Sequence, residues 1–333
     1  MIRMPRLSVV LATDVYDTVR PVVSALQRQR LAAEIELVIV LPSAAQAGVP
    51  REELRAFAHA QVVAVDSVER LATARTAGIH AASAPIVFIG ETHTYPDDGW
   101  ADALLAPFDE QWTAVVPAIS NANPATAASW AAYLFDYARW GPSRSAGEMS
   151  DPLVYNTAYR RSALLALGDR LPDALEPHRE VMWPLLWASG HRALFAPAAR
   201  IAHVNIGRLG WLLQEKFCSG VVLGMRRSGR WRLWRRLLYL LASPLIPIVL
   251  LARVARDARP PRATTLPAGT IPALVLCALV KTLGEVVGYL GIVLPARVAQ
   301  LTRMEIHKVD YSGQPVDART PPLVARTTRR ASR

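Results

Sequence analysis

Apolar and polar positions alternate in blocks along the first hundred residues. Leu7 to Thr13 is an apolar run of strand length, and Val19, Val22, Val23 and Leu26 then recur at i, i+3, i+4 and i+7, the buried stripe of a helix. Glu36 to Leu41 reads as a second strand, Gln61 to Val65 as a third, Val68 to Ala82 as a helix and Pro85 to Ile89 as a fourth strand. Strands separated by helices in this way build a mostly parallel sheet with helices on both faces, so the class expected is α/β.

The strand ending at Ile89 stops abruptly on Gly90-Glu91-Thr92-His93, and Asp97-Asp98-Gly99-Trp100 then opens a helix, with an aspartate available as N-cap. After Phe108 the alternation loosens. Trp112 to Ile119 reads as a strand, Ser120 to Pro124 as a turn, and Ala127 to Trp140 as a helix. Asn156 to Arg161 leads into another apolar helix, Glu176 and Glu180 precede or begin the next, and Gly190 ends it. Ala193 to Phe195 and Arg200 to Val204 are two extended segments, the second carrying His203.

Charge divides the chain sharply. Residues 1–224 hold 19 Lys and Arg against 22 Asp and Glu, whereas residues 225–333 hold 19 against 5, so the net charge of +11 belongs to the C-terminal third. That third also carries sixteen uncharged residues, Leu237 to Ala252. As a helix they would reach about 24 Å, short of a hydrocarbon core of roughly 30 Å. Pro244 and Pro247 interrupt the run, and arginines crowd both flanks, which disfavours one crossing. A re-entrant or in-plane segment with Trp231, Trp234 and Tyr239 at headgroup level fits these facts together.

A second apolar stretch, Ile271 to Ala296, is long enough to span, but Lys281 and Glu285 interrupt it four residues apart, where they can pair. A span, a hairpin and an in-plane helix all stay open for it. Arginines interleaved with aromatics also suit nucleic acid, but the adjoining apolar runs favour a membrane surface. The expected organisation is therefore an α/β domain over 1–224, a basic, apolar, membrane-associated helical region over 225–308, and a disordered basic tail over 309–333. Cys218 and Cys277 stand far apart with no metal-binding spacing, which suggests neither a disulfide framework nor a zinc knuckle and fits a reducing compartment.

Chemistry is expected where the fourth strand stops, because ligands in open α/β sheets gather at the carboxyl ends of strands. Glu91 and His93 can share a divalent ion or meet a diphosphate as acid and donor; they can equally be solvated loop residues. His203 is the other candidate imidazole.

Leu7 to Thr13, Ala74-Arg75-Thr76-Ala77-Gly78-Ile79 before the strand ending at Glu91, and then Pro96 with Gly99-Trp100 resemble family 2 glycosyltransferases of the GT-A (nucleotide-diphospho-sugar transferase-like) fold. Asn156 to Arg161 with Leu164 and Gly168 is similar to that family's acceptor-side segment, and Gly190-His191-Arg192 through His203 to its closing motif. The resemblance covers about residues 7 to 225 and is greatest to a bacterial, membrane-associated branch in which Glu-x-His, here Glu91-Thr92-His93, replaces Asp-x-Asp.

The resemblance implies an inverting transfer of a sugar from a nucleotide-activated donor to a lipid-linked or envelope glycan acceptor at the cytoplasmic membrane face. It places Thr13, Arg75, Glu91, His93, His203, Arg160 and Arg161 on the donor side and Asn156 on the acceptor side. Glu180, with Glu176 in reserve, is the expected base. Glu91, His93 and His203 can coordinate one metal, Mn2+ more readily than Mg2+ because of the nitrogen ligands. Two departures stand beside this: the second strand runs into Leu41-Pro42-Ser43 where the family commonly has an aspartate, and Asp-x-Asp is missing. They leave room for a catalytically silent module that binds nucleotide or glycan and scaffolds a membrane assembly complex.

Overall fold

The computed structural model describes residues 4–150, 152–176, 181–229, 231–258, 265–292 and 294–313. Among them nine strands form one sheet: β1 (Leu7–Ala12), β2 (Ile35–Pro42), β3 (His59–Val65), β4 (Ile86–Ile89), β5 (Thr94–Pro96), β6 (Ala114–Asn121), β7 (Gly147–Glu148), β8 (Thr157–Arg160) and β9 (Ala193–His203). Their order is β3-β2-β1-β4-β8-β6-β9-β5, with β7 also on β9. Strands β1, β2, β3 and β4 run parallel, as do β6 and β9, while β8 lies antiparallel between β4 and β6.

Twelve helices surround it: α1 (Tyr16–Gln27), α2 (Leu71–Ala81), α3 (Trp100–Leu105), α4 (Ala127–Asp136), α5 (Arg161–Leu165), α6 (Leu171–Ala174), α7 (Met182–Ala188), α8 (Leu209–Ser228), α9 (Leu233–Ala242), α10 (Ile246–Asp257), α11 (Thr270–Tyr289) and α12 (Pro295–Ile306). Alternate residues of each strand face opposite layers. Leu7, Val9, Leu11, Leu37 and Ile39 pack with α1, α3 and α4, whereas Val10, Ala12, Val38 and Val40 pack with α2, α5, α6 and α7. The α/β class with a mostly parallel sheet and helices on both faces is therefore the one observed.

Several local expectations change. The helix at Trp100 is preceded by Gly99 in the left-handed region (φ 77°), and no aspartate side chain caps it. Strand β5 occupies Thr94–Pro96, in what reads as loop, because it pairs with the end of β9 rather than with a sequence neighbour. Strand β6 is shifted toward Asn121, α4 stops at Asp136 before a 3-10 turn at Ala138–Trp140, and the two segments around 193–204 are one strand whose register against β6 shifts between Pro117 and Ala118.

The amino ends of the parallel strands are tied by a buried carboxylate. Glu36, fully buried, accepts from the Ser8 hydroxyl, from Ser83 N at 2.7 Å, from Gln61 at 2.9 Å and from His59 Nδ1 at 3.0 Å. Burial pushes its pKa up, but the hydrogen bonds from Ser8, Ser83 and His59 outweigh it and hold the carboxyl down at about 2.

In the C-terminal third, α9 and α10 are joined by a 3-10 turn at Ser243–Leu245 that holds Pro244, Pro247 falls in the first turn of α10, and the two helices expose Leu233, Leu241 and Ile248. The stretches Leu233–Asp257 and Thr270–Tyr289 are both long and apolar enough to cross a membrane; 11% of the first and 50% of the second is buried against the rest of the chain. Helix α8 runs through the expected domain boundary at 224 and packs along α11. Gly220 and Gly224 on α8 face Gly284 and Gly288 on α11, and a Cβ on Gly220 or Gly224 would overlap the carbonyl oxygen of Lys281 or Glu285 respectively. Small residues four apart let helix backbones approach this closely. Lys281 and Glu285 share a face but take other partners, Ser219 Oγ at 3.3 Å and the Tyr289 hydroxyl at 2.9 Å. The tail expected to be disordered lies, from 314 onward, outside the described residues.

Two outcomes follow from this packing. Glu36→Gln turns part of an acceptor into a donor against four donors and lowers stability by about 2–3 kcal/mol in urea unfolding at pH 7. Because the folded pKa is depressed, Glu36's contribution is complete above its unfolded value and fades as pH falls toward about 2, so wild type and variant converge in acid. Gly224→Leu forces α8 and α11 apart and lowers the melting temperature of the full chain, a loss of about 1–3 kcal/mol or more.

Candidate functional site

The register explains why distant residues meet. Strand β4 ends at Ile89 and β9 ends at His203, both at the carboxyl edge, while antiparallel β8 begins there at Thr157. Pairing of Thr94 with His203 brings His93 beside His203 although 110 residues separate them. Asn156, just before β8, takes a left-handed φ of 53°, a conformation asparagine tolerates better than most residues, and its backbone N–H donates to Ile89 O at 2.7 Å.

Glu91, His93 and His203 converge with their ligand atoms within 4.8 Å of one another. His93 Nε2 lies 3.1 Å from His203 Nε2, and Glu91 Oε2 lies 3.6 Å from the first and 3.7 Å from the second. The circle through these three atoms has a radius of about 2.0 Å, which matches metal–ligand distances of about 2.0–2.2 Å.

Neighbouring hydrogen bonds fix both tautomers. The Asn205 amide nitrogen donates to Asn121 Oδ1 at 3.0 Å and to the His203 carbonyl at 3.1 Å, so its Oδ1 accepts from His203 Nδ1–H at 3.1 Å. The Thr92 hydroxyl gives its one proton to Ile306 O at 2.7 Å and therefore accepts from His93 Nδ1–H at 3.1 Å. Both Nε2 atoms are left with unprotonated lone pairs only 3.1 Å apart, a crowding that a cation held by both relieves. Burial first, and then Lys308 and Arg75 for His93 or His93 for His203, hold both imidazoles well below the ordinary histidine range, so they are neutral ligands at pH 7. The donor set fits a divalent ion of the Mn2+, Fe2+ or Zn2+ kind better than Mg2+.

Glu91 is only 5% exposed and accepts from Asn156 Nδ2 at 2.5 Å, while Asn156 Oδ1 accepts from Thr94 Oγ1 at 3.0 Å. Burial, then the nearby Glu305 carboxylate, raises Glu91 to about 7. Glu305 takes the charge instead, because Lys308 Nζ sits 2.8 Å from it and overcomes its own burial.

The structure distributes the other expected residues widely. Arg75 is buried close enough to attract both carboxylates, its guanidinium 3.8 Å from the Tyr155 ring centre and its Nε without a hydrogen-bond partner. Thr13 closes β1, its hydroxyl donating to Val15 O at 2.9 Å. Asn156 lies against Glu91 itself. Arg160 and Arg161 are at the opposite end of the sheet, because β8 runs antiparallel; they bind the carbonyls of Phe108, Glu110 and Trp112 and of Ile79 and His80, so neither joins the site. Glu176 is engaged by Arg70 at 3.2 Å and by Arg226. Glu180 lies outside the described residues.

Glu305, Lys308, Tyr137 and the Asn121–Asn205 pair escape the sequence reading. Glu305 reaches the site from α12, its Oε1 3.9 Å from His93 Nε2, and His307 Nε2 meets Asp14 Oδ2 at 2.7 Å, so residues 305–308 lie across the strand ends. The signal was present: Glu305-Ile306-His307-Lys308 holds one of only five acids after residue 224. Tyr137 packs its ring on His203, centres 4.1 Å apart.

No protein-family model matches this chain, and no curated protein matches it in sequence. Among solved structures it is similar to S. aureus TarS 1-349 in complex with UDP, at 12% identity and a TM-score of 0.44 over 86% of this chain and 92% of that one. It is also similar to the mannosyltransferase PcManGT from Pyrobaculum calidifontis in complex with GDP-Man and Mn2+, at 16% identity and a TM-score of 0.47 over 90% and 88%. At these identities no residue's role passes from those chains to this one.

Calorimetric titration with Mn2+ is expected to show one site, lost in Glu91→Gln and in His203→Ala, and to show weaker binding of Mg2+. Affinity falls as pH drops below about 7, since a proton on Glu91 competes with the ion. A carboxyl whose folded pKa is raised destabilises the fold above its unfolded value, increasingly up to about 7. Glu91→Gln therefore raises the melting temperature of the metal-free protein at pH 8 while abolishing Mn2+ binding.

Proposed function

We propose that this chain transfers a sugar from a nucleotide-activated donor, and that the Glu91–His93–His203 cluster at the carboxyl edge of the sheet is its donor site. The observation that carries the reading is the pair of imidazole Nε2 atoms 3.1 Å apart beside a carboxylate, with two cations, the buried Arg75 and the partly buried Lys308, close enough to shift its charge. Cationic groups held where negative charge develops are what a diphosphate leaving group needs.

Glu91, His93 and His203 would hold a divalent ion, which would supply Lewis-acid stabilisation of the charge on a departing diphosphate. The chain's own residues do the rest. Asn156 holds Glu91 Oε2 toward the two histidines, Asn205 and Thr92 hold their tautomers, and Arg75, whose Nε lacks a partner, and Lys308 are placed to meet phosphate oxygens. Glu180 remains our choice of base for the acceptor hydroxyl, with Glu176 the weaker choice because two arginines already engage it. The acceptor is a lipid-linked or envelope glycan, and the exposed apolar α9 and α10 rest on the cytoplasmic face of the membrane, as their basic flanks favour.

A second reading, a catalytically silent nucleotide- or glycan-binding scaffold, draws on one observation. The three ligand atoms are buried and Glu305 to Lys308 lie over them, so a diphosphate reaches them only if that strap shifts. Turnover separates the two. Purified full-length protein with Mn2+ and a panel of UDP, GDP and TDP sugars is expected to release nucleoside diphosphate from at least one, and Glu91→Gln is expected to lower the rate at least about a hundredfold. Binding without release, unchanged in the variant, supports the scaffold.

A further inference from the structure

A cavity of about 450 Å³ opens between α4, α8, α11 and the α9–α10 arch. It is close to the metal cluster: Asp136 and Ala138 line it, and Tyr137 between them packs on His203. Its walls are mixed. Tyr239, Val249 and Leu250 supply apolar surface on the arch, and the basic groups Arg139, Arg227, Arg253 and Lys281 face the acids Asp136, Asp257 and Glu285.

Each acid already has a partner. Asp136 binds Lys216 at 2.6 Å, Asp257 binds Arg139 at 3.1 Å, and Glu285 accepts from Tyr289 at 2.9 Å. Lys281 is 8% exposed, and among the described residues its ammonium reaches no carboxylate at ion-pair distance, only Ser219 Oγ at 3.3 Å. A buried ammonium held by one long hydrogen bond is expensive unless an anion or water completes it. Arg253 stands at the exposed rim of the same cavity, on α10. The outer faces of α9 and α10 are bare apolar side chains, Leu241 being 81% exposed. Positive charge inside and an apolar arch outside are what an amphiphile with a compact anionic head requires.

We propose that this cavity seats the phosphate monoester headgroup of a membrane lipid, with Lys281 and Arg253 on the phosphate and the tail passing along α10 into the bilayer. The inference rests on the membrane-surface reading of α9 and α10 given above. It supplies a seat for a lipid-borne acceptor one residue of chain away from the imidazole that Tyr137 covers.

Flotation of the full chain with phosphatidylcholine vesicles tests it, the vesicles carrying either phosphatidic acid or phosphatidylglycerol at matched surface charge. Phosphatidic acid is expected to bind about tenfold more tightly, and Lys281→Met and Arg253→Gln each to erase most of that preference while leaving binding to phosphatidylglycerol in place. Arg253 is exposed, so its variant decides the matter even if Lys281→Met does not fold. Equal binding of the two lipids, or an undiminished preference in the folded variants, overturns the inference and leaves the membrane reading intact. No binding to any vesicle overturns both. If inorganic phosphate at millimolar concentration abolishes the preference, the cavity belongs to free phosphate and the lipid assignment fails.

Discussion

Two neutral imidazoles whose unprotonated Nε2 atoms lie 3.1 Å apart, with a carboxylate closing the triangle, form the arrangement on which this molecule turns. Nothing in a hydrophobic core favours it. The contacts around it exist to hold it: an asparagine in a left-handed conformation against Glu91, a threonine hydroxyl whose single proton is already committed, and a ladder of asparagines behind His203. Stability given up at such a cluster is regained elsewhere, and here the opposite end of the sheet does so, where Glu36 gathers four donors from two strands and a turn.

The C-terminal third is part of this arrangement rather than an appendage. Glycine faces on α8 and α11 bring the two backbones into contact, α11 also packs on α4, and α12 then returns across the carboxyl edge to deliver Glu305 and Lys308. The same elements enclose the Lys281 cavity. The exposed apolar helices and the Glu91–His93–His203 cluster are thus linked through Tyr137, which follows α4, packs on His203 and lies between two residues that line the cavity.

Electrostatics divides the labour between two carboxylates. Glu305 has Lys308 at 2.8 Å and keeps its charge, while Glu91, buried near it with imidazoles and an amide for neighbours, is pushed up to about 7. A negative charge brought to this edge meets Arg75 and Lys308 already oriented, which is the preorganisation that makes fixed charges effective in a dry site.

Periodicity along the chain determined the strands β1 to β4, the stripe of α1 and the α/β class, because alternation and 3.6-residue spacing are local properties that tertiary contacts only reinforced. The abrupt end of β4 on Glu91 and His93 also pointed to the edge at which the fold brings His203 to them. Partners came only from the fold. Strand β5 is three residues long and exists because β9 pairs with it, so no local pattern announces it. Arg160 and Arg161 looked equivalent to donor-side cations until the antiparallel direction of β8 put them at the far edge, where backbone carbonyls consume their donors. Glu305 and Lys308 lie more than two hundred residues from Glu91, and only the return of α12 makes them neighbours. Sequence spacing fixes which groups share a strand or a helix face; strand direction and chain return fix which of them share a point in space.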